Sequence, residues 1–209
     1  MEEPIEGSLR AGLALYAAGE YHAAHEPWED VWLELEDGTD DERLFHGLIQ
    51  YTAAVHHARD RNWEGAVGLA GSGREYLAGL PGTYRGVDVD AAVSYLAALE
   101  RDPERIERGD PEPLGYDGGT LEATDLDLSE LATAAVALGD EYGTYEADVL
   151  GDAIEIAREE ARAGSAGVTT LLFDFVAGEG PSREFVYDRL AAQVSRRRRQ
   201  RDDIDDLFE

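Results

Sequence analysis

The chain has 209 residues, with 46 acidic side chains against 18 basic ones and a formal net charge of −28. Every basic residue is Arg, Cys is absent and His occurs five times, which excludes a disulfide framework, a thiolate metal site and a cysteine nucleophile. The charge also opposes nucleic acid as a partner, because phosphate neutralisation needs clustered positive residues. No apolar run approaches the roughly 18 residues of a membrane span, and the opening MEEPIEGSLR shows no signal-peptide pattern. The acids are spread evenly, 25 against 9 Arg in residues 1–120 and 21 against 9 Arg in residues 121–209. With 43% hydrophobic residues a core is within reach. A uniform acidic coat lacking Lys fits a salt-rich cytoplasm, where counterions screen the self-repulsion. The expectation is a soluble, cytoplasmic, acidic globular protein.

Helical periodicity dominates the first half. Leu9, Leu13 and Tyr16 mark an amphipathic segment that ends at Gly19. Tyr21, Ala24, Trp28, Trp32 and Leu35, three or four apart, predict a second helix over about 20–36. Thr39 is a candidate N-cap for a third over 40–60, whose Asp41 and Glu42 suit a helix N-terminus. Asn62 caps a fourth, in which Gly65, Gly68, Gly71 and Gly73 make the intrinsic propensity poor, so packing must hold it. A fifth runs over about 88–100 with Val89, Ala92, Val93, Leu96 and Leu99 on one face.

Residues 102–127 are rich in Pro and Gly and sparse in apolar side chains, and read as a connector with little regular structure. Helical patterns return at about 129–142, 144–163 and 182–200. The apolar run Val168–Val176 is read as a helix, because no partner strand is evident. The fold class is therefore all-α: a bundle or array of about five helices over 1–101, the connector, and a smaller helical module with an acidic tail over 128–209. The basic block Arg196–Arg199 and Arg201 suits a helix C-terminus, or docks on the protein's own acidic surface or on a partner subunit; the acids that follow it oppose phosphate.

All five His and all three Trp fall between positions 22 and 63, so any imidazole site is built from the second and third helices. On a wheel of about 100° per residue, His25 and Glu29 lie at the edge of the Trp28–Trp32 stripe, while Glu26 lies farther round toward solvent. His56 falls on the apolar face of the third helix with Phe45 and Ile49. Packed antiparallel, the two helices would bring His25 and Glu29 to His56. Such a set suits a divalent metal held by His25, Glu29 and His56, a general acid–base pair, or a buried hydrogen-bond network. His25-Glu26-x-x-Glu29 matches the zincin motif only in part, since Glu29 stands where the second His belongs.

At these residues the sequence resembles a known family. YHAAHEPWEDVW (21–32) followed by FHGLIQYTAAVHHARDRNWEGA (45–66) resembles the domain of unknown function family 309. The shared pattern is a His-Glu pair, a Glu three residues on, a Trp closing that helix, a Gly-Leu-Ile-Gln-like run and an Ala-Ala-x-His segment. Here it falls on His25, Glu26, Glu29, Trp32, Gly47, Leu48, Ile49, Gln50, Ala53, Ala54 and His56. The resemblance covers residues 5–100, leaves the C-terminal extension unassigned, and implies a small all-α array without implying any reaction. The reading is a non-catalytic interaction or structural protein with a buried His/Glu network. It would work as a homo-oligomer or on a protein partner, through whichever of Trp28, Trp32 and Trp63 stay exposed. The alternative is a metal-binding protein or metal-dependent enzyme centred on His25, Glu26, Glu29 and His56, with Trp32, Gly47 and Gln50 as further motif positions.

Overall fold

The structure, a computed structural model, describes residues 2–178 and 180–205. Among these the fold is all-α with a small four-stranded sheet. Helix α1 (Glu2–Ala17) ends at Gly19, whose φ of 81° lies in the left-handed region. The expected helix over 20–36 is shorter. A 3-10 turn, Ala23–His25, precedes α2, Glu26–Trp32. Pro27 accounts for the break, because it has no N–H to continue a helix begun upstream and is tolerated within the first turn.

The next three helices open on capping side chains, the first two at the residues expected. Thr39 Oγ1 accepts from Glu42 N at 3.2 Å to open α3, Asp40–Arg59. Asn62 accepts from Gly65 N at 3.2 Å to open α4, Trp63–Leu77. Asp88 accepts from Ala91 N at 2.9 Å to open α5, Val89–Arg101. Glycine lets two of the packed surfaces come close. A Cβ on Gly12 would lie 2.3 Å from the Trp28 ring, and one on Gly47 would lie 2.6 Å from Leu77 where α3 crosses α4. A Cβ on Gly73, at the same crossing, would lie 3.1 Å from Gln50 Cβ, so α4 recovers through packing what its glycines lose in propensity.

Two hairpins flank α5 and the 3-10 turn Pro103–Glu107. Strands β1 (Thr83–Tyr84), β2 (Val87–Asp88), β3 (Gly115–Tyr116) and β4 (Gly119–Thr120) form one antiparallel sheet in that order. Arg85-Gly86 and Asp117-Gly118, all at positive φ, make the two tight turns. The sheet thus draws the connector onto the first five helices, and Leu114, Leu121, Ala123 and Leu126 are buried.

Beyond it α6 (Leu128–Tyr142) opens on a capping box between Asp127 and Glu130. Helices α7 (Ala147–Ala163), α8 (Gly167–Ala177) and α9 (Gly180–Asp205) follow. The run Val168–Val176 is helical, as expected, and Glu160 of α7 accepts from Val168 N at 2.8 Å at its start. The basic block is not at a helix end. It lies inside α9 and faces α7, with Arg198 paired to Asp152 and Arg201 to Glu159 at 2.6 Å. The acidic face of α7 attracts these guanidinium groups more directly than a helix terminus would. The end of the acidic tail, residues 206–209, lies outside the described residues.

Helix α6 packs against α1. Arg10 of α1 donates to Glu130 at 2.7 Å and to the Asp125 carbonyl at 2.7 Å. One continuous buried cluster runs from Leu13 and Trp28 to Leu131, Leu138 and Phe175. Among the described residues no helix is long and apolar enough to cross a membrane.

Candidate metal centre

The junction between the 3-10 turn and α2 puts an imidazole and two carboxylates side by side. His25 closes the turn, Glu26 begins the helix and Glu29 lies one turn on. His25 Nε2 is 3.6 Å from Glu26 Oε1 and 3.9 Å from Glu29 Oε2. One ligand atom from each of the three lies within 4.8 Å of the other two. Ligand atoms that share a tetrahedral ion at about 2.0–2.1 Å stand roughly 3.3 Å apart, so small side-chain rotations close the set. The His25 side chain is 18% exposed, whereas those of Glu26 and Glu29 are 42% and 45% exposed. The imidazole is thus largely buried and the carboxylates reach solvent. Glu26 also borders a groove of about 420 Å³ between α2, α6 and α7. Burial pushes the His25 imidazole below its ordinary pKa and the adjacent His22 adds to this, while Glu26 and Glu29 act the other way.

Two expectations for this site change. Glu26, read as facing solvent, is nearer to His25 than Glu29 is. A helical wheel records the direction of Cβ alone, and a glutamate carboxylate lies three bonds farther out. His56, read as interior, has a side chain 39% exposed and pairs with Asp60 at 3.4 Å. It lies in the last turn of α3. His22 takes the place expected of His56: its ring centroid is 4.6 Å from that of His25 and 5.1 Å from that of His56. No ring contact joins His25 to His56 among the described residues. His22 Nδ1 in turn meets the Glu141 carboxylate, from α6.

Residues 9–69 match the family model described as Domain of unknown function (DUF309). The similarity to DUF309 is confined to that segment. No curated protein matches the chain. The DUF309 segment holds all five His and all three Trp, whereas Glu141 lies beyond it.

The other motif positions of the DUF309 segment do structural work. Gly47 and Gln50 lie at the α3–α4 crossing. Trp32 donates to Glu42 Oε1 at 3.1 Å, and the same oxygen meets His46 Nδ1 at 3.2 Å. His46 stacks on Tyr76 with 3.9 Å between ring centroids. The two imidazoles are about equally exposed, but the Glu42 carboxylate is buried whereas those of Glu26 and Glu29 reach the surface. Burial would raise the Glu42 carboxyl, but the hydrogen bonds from Trp32 and His46 outweigh it and hold it below its usual range.

None of the three tryptophans stands exposed. Trp28 is fully buried and donates to the Leu9 carbonyl at 3.1 Å; Trp32 and Trp63 are half-buried against the core. Trp28 therefore drops out of the docking surface expected from the sequence, while Trp32 and Trp63 keep part of their surface exposed.

Local sequence reasoning missed His22 and Glu141. The spacing of His22 and His25, one helical turn apart, was an available signal for the first. Glu141 is 119 residues from its partner in the chain and offers no local signal.

Proposed function

We propose that this protein binds a divalent cation of the first transition series through His25 Nε2, Glu26 and Glu29. The observation that carries this reading is the mutual approach of the three ligand atoms to within 4.8 Å. A borderline nitrogen ligand beside two carboxylates suits zinc, iron(II) or manganese better than the all-oxygen shells that calcium and magnesium take. The contrast with Glu42 supports the same reading. There the carboxylate is sealed by tryptophan and histidine donors, whereas Glu26 and Glu29 keep their outer oxygens free. The even acidic coat supports a salt-rich cytoplasm as the working medium, so binding belongs in molar KCl, where only short-range ligation survives screening.

Elemental analysis of the full chain tests this reading. The protein is incubated with zinc in molar KCl and passed through a desalting column. About one equivalent of zinc retained by the wild type, and lost in His25→Ala, is the expected result. A wild type that retains no zinc, or a His25→Ala variant that retains as much, overturns the reading.

A further inference from the structure

The DUF309 segment ends well before α6, yet α6 and α9 grip the turn that carries the site. Arg183 of α9, 1% exposed, donates through Nη1 to Glu20 and through Nε to the Phe175 carbonyl at 3.0 Å. Tyr142 of α6 donates to the other Glu20 oxygen at 2.7 Å. Two residues on, His22 Nδ1 meets Glu141. Three side chains from outside the segment thus converge on residues 20–22, immediately before His25.

The contact at His22 has the form of a ligand held ready. A carboxylate on one ring nitrogen fixes the tautomer and orientation of a metal-binding histidine and leaves the opposite nitrogen free. With Nδ1 engaged, His22 presents Nε2. Two imidazoles bound to one tetrahedral ion, each nitrogen at about 2.0–2.1 Å, place their ring centroids roughly 5 Å apart. The His22–His25 separation of 4.6 Å is of that size. His22 lies outside the group of three whose ligand atoms already approach one another, so the half-exposed carboxylates of Glu26 and Glu29 would have to swing toward it.

We propose that His22 Nε2 is the fourth ligand of this metal site and that Glu141 is its positioning residue, so that the C-terminal helices control metal affinity. The proposal rests on the three-ligand reading above and gives the region after the connector a function. Asp60 engages His56, and His56 stays outside the ligand set.

Nitrogen-15 NMR of the imidazoles in the full chain, recorded with and without one equivalent of zinc, tests it. The expected result is a large zinc-induced shift of Nε2 in both His22 and His25, with His56 and His57 little changed. Glu141→Ala is expected to weaken zinc binding about tenfold or more. Glu141→Gln, which keeps an acceptor oxygen, is expected to restore part of that loss. A shift at His25 with none at His22 overturns the fourth-ligand proposal and leaves the three-ligand reading intact. Zinc that shifts no imidazole overturns both. Wild-type affinity in Glu141→Ala removes the positioning role.

Discussion

Two clusters in this chain use the same residue types and lie fewer than 20 residues apart, yet they have opposite surroundings. At Glu42 and His46 the carboxylate and imidazole are enclosed by Trp32 and Tyr76, and their hydrogen bonds are satisfied inside the cluster. At His25 the imidazole is largely buried, but the carboxylates of Glu26 and Glu29 reach solvent and its other neighbour, His22, is held from another part of the molecule. A closed network stabilises the fold, because each buried polar group has its partner. An open cluster of acceptors around an imidazole contributes little to stability and is left with unused ligand atoms. Composition alone does not separate the two cases; exposure and hydrogen-bond partners do.

The comparison breaks most readily at the closed cluster. Glu42→Ala removes the acceptor of both Trp32 and His46 and is expected to cost about 1–2 kcal/mol, because the two donors it strands are partly buried. His25→Ala is expected to cost less than about 1 kcal/mol. Chemical denaturation of the two variants measures both, and equal losses would erase the distinction between the clusters.

A smaller effect concerns the neighbouring Asp41, which ties α3 to the first hairpin. Hydrogen bonding from Arg85 holds its carboxyl below the ordinary value, outweighing burial, and the Tyr84 hydroxyl, at 2.8 Å, adds to this. A folded-state pKa below the unfolded one stabilises the protein at neutral pH, and that stabilisation is lost as pH falls through the folded value. Asp41→Asn is therefore expected to be less stable than wild type near pH 7, with the gap closing on acidification. Unfolding curves at a series of pH values follow it, and a gap independent of pH would contradict the assignment.

Much of the fold was legible in the sequence, and for identifiable reasons. Thr39 and Asn62 announced two helix starts through side chains that cap the backbone a few residues on, and the run Val168–Val176 was read correctly for want of a partner strand. The break before α2 was legible in Pro27 but masked by the regular stripe of Tyr21, Trp28 and Trp32. At the site, His25 and Glu29 followed from helical spacing. Glu26 did not, since a wheel ignores side-chain reach. Nor did the exposure of His56, which depends on what packs around the last turn of α3. Glu141 and Arg183 were beyond local reasoning altogether. They act on residues 20 and 22 across more than a hundred residues, and only the packing of α6 and α9 beside the His-bearing turn reveals them.

The central claim is that the open cluster, and not the closed one, binds the ion. The zinc-induced change in melting temperature tests this directly, because a ligand bound only to the folded state raises its stability. Zinc is predicted to raise the melting temperature of the wild type and of Glu42→Gln, and to leave that of His25→Ala unchanged. An equal rise in His25→Ala, or no rise in the wild type, would contradict the account.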